Sequence, residues 1–257
     1  MPESPEVKIM SDYINQNSKD KTFKKAFHVA KGNVPELFED CDFTVRSESN
    51  GKELLLYLND KKIHVFMGMS GNWRYVPTSD WNDTKFTRLR LDDNTGYSLL
   101  LNGGFMGPKY SVGKPFTGTK RGVDPTKEFD TFKKNILDNI NKKAFDKPIC
   151  EVLLNQEYFN GIGAYLTAEI VGRLDINPFR NLKSFSTNEL NKLFDMILNC
   201  CEESYKFGGG ELRDWNNPFG SSRIDEWIKF YNKKDICLKE KFGTRNIWIQ
   251  RKWKVIT

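Results

Sequence analysis

The sequence predicts an α+β protein: a leading helix, a β-sandwich or barrel, and a helical half that ends in a hairpin. Three observations predict it. Val7, Met10, Tyr13 and Ile14 recur at three- and four-residue steps, the spacing of one helix face. From Thr22 to Ser111 the texture is short alternating or apolar runs broken by Gly, Asn and Asp. Beyond a polar, Gly/Pro-rich stretch, the apolar spacing returns to the helical period.

Taken in order, Met1-Pro2-Glu3-Ser4-Pro5-Glu6 reads as a helix start. Proline suits the first helical position, and acidic residues suit the positive end of the helix dipole. Strands are expected at 22–29, 43–49, 53–58, 62–66, 73–76, 85–91 and 97–101. Asn50-Gly51, Asn59-Asp60 and Asp92-Asp93-Asn94 supply turns between them. That makes about seven or eight strands, a sandwich or a barrel. Residues 1–112 then form a first domain, 113–126 a linker, and 127–257 a second, helical domain. In the latter, 129–140 puts Phe129, Phe132, Ile136 and Ile140 on one face. Helices at 148–154 and 164–174 are joined by a glycine-containing turn. Ser186-Thr187-Asn188-Glu189 opens a long helix that Phe207-Gly208-Gly209-Gly210 closes. The tail from 227 is strand-like and folds back as a hairpin around Phe242-Gly243-Thr244-Arg245.

Composition narrows the function classes. A chain of 257 residues has room for two domains, and 38% hydrophobic residues with 19 Phe and 6 Trp exclude global disorder. The net charge of +6 points toward a polyanion. The acidic start lacks the apolar run of a signal peptide, and no segment approaches the ~20 apolar residues of a membrane span. Cys41, Cys150, Cys200, Cys201 and Cys237 are odd in number and scattered, which suits free thiols in a reducing, intracellular compartment. No C-x-x-C pair occurs, and His28 and His64 stand far from Cys237, so neither a metal nor another cofactor is expected.

Two stretches carry chemistry. Trimming of Met1 would leave Pro2 as a free secondary amine, with a reference pKa of about 7.7–8.0 against ~10.4 for lysine. Such an amine attacks an aldehyde-like carbon to form an iminium. Glu3 and Glu6, three apart, lie near one another if a helix starts here, one as general acid/base and the other charged. The second stretch runs from Leu153 to Ile170: Leu-Leu-Asn-Gln-Glu-Tyr-Phe-Asn-Gly-Ile-Gly-Ala-Tyr-Leu-Thr-Ala-Glu-Ile. Backbone N–H groups at such a glycine-bearing helix start bind phosphate. The same spacing also fits an ordinary helical hairpin whose glycines only cap.

The opening Met-Pro-Glu-x-Pro-Glu-Val and the run around Asn160-Gly161-Ile162-Gly163 resemble the formamidopyrimidine-DNA glycosylase/endonuclease VIII (Fpg/Nei) family. Gly51-Lys52-Glu53-Leu54-Leu55-Leu56 is similar to that family's lysine-bearing strand, and Met67-Gly68-Met69-Ser70-Gly71 to one of its loops. Gly243-Thr244-Arg245-Asn246-Ile247-Trp248-Ile249-Gln250 resembles the zinc-free finger of a vertebrate Nei-like branch. The resemblance implies an N-terminal helix with an eight-stranded β-sandwich, then a helical domain with a helix–two-turn–helix motif at about 148–174 and a finger at about 228–252. It implies a monomeric DNA glycosylase and abasic-site lyase of base excision repair, working on DNA in the nucleus or nucleoid, with strand cleavage by β,δ-elimination.

By the same resemblance, Pro2 is the nucleophile, Glu3 the proton shuttle and Glu6 the support of the amine, while Lys52 contacts the phosphate beside the lesion. Met69 fills the place of the departed base; Asn160, Gly161, Gly163 and Arg245 grip DNA. Taken singly, Lys52 reads as a solvated lysine, Met69 as a core methionine and Arg245 as exposed charge. Three positions depart from the family pattern. Ala164 replaces a phosphate-binding asparagine, Ser4 replaces a glycine, and the 102–107 loop has no arginine, leaving Phe105 or Met106 to insert. Two alternatives therefore stand beside the enzyme. One is a protein on the same fold that binds damaged DNA without turnover; the other is a helical-hairpin nucleic-acid binder.

Overall fold

The computed structural model describes residues 2–29, 37, 42–82, 84–104, 106–113, 121–210, 215–220 and 222–254. Cys41, Phe105 and residues 114–120 of the expected 113–126 linker lie outside the described residues. The chain divides into two compact units, Met1–Pro2, Glu6–Thr117 and Glu211–Ser222 in the first, Glu3–Pro5, Gly118–Gly210 and Arg223–Thr257 in the second.

In the first unit, helix α1 (Ser4–Ser18) buries Val7, Met10 and Ile14, the residues whose spacing predicts it. Pro2 precedes the helix instead of occupying its first position, and Pro5 falls in the first turn. Eight strands follow: β1 (Phe23–His28), β2 (Val45–Asn50), β3 (Glu53–Leu58), β4 (Lys61–Phe66), β5 (Asn72–Pro77), β6 (Thr87–Asp93), β7 (Tyr97–Asn102) and β8 (Lys109–Val112). They form two four-stranded sheets, ordered β1-β6-β7-β5 and β2-β3-β4-β8, with antiparallel pairing throughout. Strand β8 is absent from the sequence expectation. It is an edge strand of half-exposed and exposed residues, Lys109-Tyr110-Ser111-Val112, and so shows no apolar alternation.

Both sheets and α1 contribute to one apolar core, with Leu54, Leu56, Ile63 and Val65 from one sheet and Trp73, Leu89, Leu91, Leu99 and Leu101 from the other. Each such side chain contributes roughly 1.5–3 kcal/mol on burial. Asn15 fixes α1 on β2 in both directions: its amide donates to the Ser47 carbonyl at 3.0 Å and its carbonyl accepts from the Ser47 N–H at 2.7 Å.

Trp215 departs from the expected 127–257 domain. It is 1% exposed within this first core, and its indole N–H points at the Met10 sulfur at 3.3 Å. Phe219 packs edge-on against Tyr13, ring centroids 5.3 Å apart. An apolar ring this large is carried to whichever core has room for it, whatever its neighbours in sequence do.

The second unit holds α2 (Phe129–Asn139), α3 (Ile149–Val152), α4 (Ala164–Leu174), α5 (Thr187–Lys206), α6 (Ile224–Trp227) and a hairpin of β9 (Cys237–Phe242) and β10 (Arg245–Gln250). Phe132 meets Phe159 and Phe194 edge-on at 5.9 Å each, in a core shared by α2, α4, α5 and the hairpin. A capping box starts α5: the Ser186 hydroxyl accepts from the Glu189 N–H, and the Glu189 carboxylate accepts from the Ser186 N–H. The hairpin pairs Arg245 with Phe242 and Gln250 with Cys237 around Gly243.

Candidate active site

The second unit contains a built carboxylate site. Glu3, 3% exposed, lies at the N-terminus of α4. Its Oε2 accepts the Gly163 N–H at 2.6 Å and the Leu166 N–H at 3.3 Å; its Oε1 accepts the Tyr165 N–H at 3.1 Å. The first N–H groups of a helix lack intrahelical partners and carry its positive dipole end, so a carboxylate is a fitting occupant. Gly163 makes the approach possible, since a Cβ there would fall 2.3 Å from Glu3 Oε1. Two further bonds hold the next residue: the Ser4 N–H donates to the Gly161 carbonyl at 3.1 Å, and the Ser4 hydroxyl to the Cys201 sulfur at 3.6 Å. Burial leaves the Cys201 thiol well above its ordinary range, against the lowering effect of the Ser4 hydroxyl, so it brings no charge to this corner.

This arrangement bears on the turn's expected grip on phosphate. The Gly163 N–H is occupied by Glu3, and the Gly161 N–H donates to Gln156 Oε1 at 3.1 Å. The chain's own side chains thus take donors that the sequence reading gives to a phosphate. Asn160 is fully buried, its amide donating to the Gly122 carbonyl at 2.9 Å, so its side chain braces the turn from within. A short motif names a polar residue without saying which way it faces.

The remaining predicted site residue of the second unit lies on the hairpin. Arg245 is exposed at the start of β10. It lines a groove of about 400 Å³ together with Lys147, Glu151, Asn155 and Thr244. Lys147 is ion-paired with Glu151 along one wall.

In the first unit Pro2 is buried and Glu6 is fully buried on α1. Lys52 sits in the β2–β3 turn, not on a strand: Asn50 pairs with Glu53, and Gly51 has φ 55°. It is 8% exposed, which excludes an ordinary solvated lysine. Met69 is half-buried in a loop stitched to the 102–107 segment by its own N–H, which donates to the Met106 carbonyl at 2.9 Å. Gly68, with φ 60°, permits this contact; a Cβ would come 2.3 Å from that same carbonyl oxygen. Met106, 60% exposed, projects from the partner loop in a left-handed conformation.

Among the described residues, Glu53, Asp93, Asp124 and Glu169 are buried carboxylates that escape the sequence reading. Glu53, 2% exposed, stands 3.4 Å from His64 Nε2 across the β3–β4 pair. Glu169, fully buried on α4, accepts backbone N–H groups from 229–231. The one available signal is Arg173, four residues on, an i,i+4 partner for Glu169. Among the described residues, no cluster of three or more His, Cys, Asp or Glu is placed to hold a metal, and no helix is long and apolar enough to cross a membrane.

Comparison with known proteins adds an independent line. Residues 1–103 match the model of the formamidopyrimidine-DNA glycosylase N-terminal domain. Human endonuclease 8-like 1 is 34% identical over 207 residues, covering 72% of this chain and 50% of the human protein. The chain thus spans about half the length of the endonuclease 8-like relatives it matches. A formamidopyrimidine-DNA glycosylase of Ureaplasma parvum is 27% identical over 235 residues, covering 82% of this chain and 84% of that protein. Among solved structures, wild-type Lactococcus lactis Fpg with DNA containing an oxidised pyrimidine aligns with a TM-score of 0.81 at 19% identity, covering 99% of this chain and 100% of that one. The same protein with DNA containing an abasic site aligns at 0.80 and 17%, covering 98% and 99%. At such identities the structural likeness is one of fold.

Proposed function

Because this chain belongs to the formamidopyrimidine-DNA glycosylase/endonuclease VIII family, we propose that it is a DNA glycosylase of base excision repair that also cleaves at abasic sites. One observation supports this above the others: the carboxylate that directly follows Pro2 is held in place by three backbone N–H groups. With Met1 removed, the Pro2 nitrogen attacks C1′ of the damaged nucleotide. The C1′–N glycosidic bond breaks as the new C1′–N bond forms, and the proton of the attacking amine leaves with the base. Glu3 gives a proton to the ring oxygen as the sugar opens to the iminium, then takes one from C2′ in the elimination that cuts the strand. β,δ-Elimination releases the sugar remnant. Glu6, buried on α1, supports the amine and the iminium.

Attack at C1′ requires the nucleotide out of the stack, at a cost of a few kcal/mol. Met69 offsets part of it by filling the gap, while Lys52 and Arg245 hold phosphates. With the Gly161 and Gly163 amides occupied, phosphate contact falls to cationic side chains, and affinity should drop steeply with salt. The β9–β10 hairpin acts as a zinc-free finger, residues 148–174 as the helix–two-turn–helix element, and the protein works where DNA resides, the nucleus or nucleoid.

The test is borohydride reduction in the presence of an abasic-site oligonucleotide. A covalent adduct is expected; Pro2→Gly should reduce it and an N-terminal tag abolish it. Glu3→Gln should lower turnover by about 100- to 10,000-fold, the usual scale for a lost general acid/base. Wild-type protein that gives no adduct under any condition overturns the enzyme. Ala164 at the start of α4 and the arginine-free 102–107 loop favour one second reading, a protein that binds damaged DNA without turnover. Lesion-preferring gel shift with no cleavage would decide for it.

A further inference from the structure

Glu169 has no part in the chemistry above, yet it is fully buried and saturated with donors. Its Oε1 accepts the N–H groups of Lys229 at 3.1 Å, Phe230 at 2.8 Å and Tyr231 at 2.8 Å. Its Oε2 accepts the Lys229 N–H at 3.1 Å and Arg173 Nε at 3.2 Å. Arg173 completes the grip on the same segment: its Nη2 donates to the Trp227 carbonyl at 2.7 Å and its guanidinium lies 4.3 Å from the Trp227 ring centre. One turn on, Gly172 leaves room for the Phe230 ring, whose Cγ would be 2.3 Å from a Cβ there, and its carbonyl accepts from Gln250 Nε2 at 3.0 Å. Helix α4 thus holds both the root of the hairpin, 227–231, and the far end of β10.

We infer that Glu169 and Arg173 form a clasp that sets the hairpin, and Arg245 on it, in the position from which it holds DNA. Glu169 is then a positioning residue for the finger. This rests on the DNA-binding function proposed above. Replacing this carboxylate by an amide leaves one acceptor atom, so the bonds on the other oxygen, that from Arg173 Nε among them, are lost and an NH2 group is set against those donors. No reversal of helix α5 or of its core follows from that change.

The experiment compares Glu169→Gln, Arg245→Ala and the double variant. Hydrogen exchange on the free protein should show protection in 229–231 and in the hairpin falling by about tenfold or more in Glu169→Gln, with α5 unchanged. Binding to an abasic-site duplex should weaken in both single variants. The slope of log affinity against log salt should shrink by about one in each, the signature of one lost phosphate contact. The double variant should be no weaker than Arg245→Ala alone. Unchanged protection of the hairpin, or additive losses in the double variant, overturns the clasp. If Arg245→Ala leaves the salt slope untouched, the DNA-binding role of the hairpin falls, and the clasp's part in it with it. Exchange in the free protein still separates that failure from a clasp that does not hold.

Discussion

At the scale of single residues, Gly163 and Glu3 decide most. The backbone at Gly163, φ −133° and ψ −155°, is open to any residue, so alanine there is excluded only by the carboxylate it would strike. Gly163→Ala should therefore fold normally yet lose adduct formation by about 100- to 10,000-fold, read from single-turnover borohydride trapping beside a thermal melt. The buried thiols give a second expectation. Burial raises the Cys200 thiol to about 12 and the Cys237 thiol to about 11, and puts Cys201 well above 9.0. The folded protein keeps these protons where the unfolded chain starts to lose them near 9, so stability present below that pH falls as pH rises through 11 to 12. Urea midpoints at pH 8 and pH 11 check the sign, and maleimide should label these thiols only after unfolding. Pro2 and Glu3 can be singled out in the sequence because the chemistry proposed for them needs only an amine and an adjacent acid. Glu3's partners lie 160 residues or more further along, and no local pattern announces them. Asn160 shows the same limit: the letter is visible, the direction of its side chain is not.

At the scale of elements, local chemistry is well written. Ser186 and Glu189 spell a capping box in four letters, and the structure closes both of its hydrogen bonds. Ser186→Ala should cost about 1 kcal/mol, measured by chemical denaturation, with no change in DNA affinity at low denaturant. Strands β3, β6 and β7 follow their apolar runs because each supplies the interior of a sheet. Strand β8 is made by its neighbour: β4 supplies the pairing that Lys109–Val112 could not secure alone. Helix α6 and the segment behind it are fixed by the distant Glu169 and Arg173, again outside the reach of periodicity.

At the scale of the whole molecule, sequence order and spatial membership part company twice. Trp215 belongs to the core of α1 and the two sheets, and Trp215→Ala should destabilise that unit by about 3–5 kcal/mol. Differential scanning calorimetry would show the loss as a lowered transition, with hydrogen exchange confining it to α1 and its strands. Glu3 in turn counts with the helical unit although it is the third letter of the chain. Together these two exchanges bear on how the protein can be made. A gene cut after Thr117 would yield a front half missing the indole from its interior and a back half missing the acid that occupies the mouth of α4. Neither product is a self-sufficient module, so separate expression of the halves should give two poorly soluble polypeptides that regain order only when refolded as a mixture.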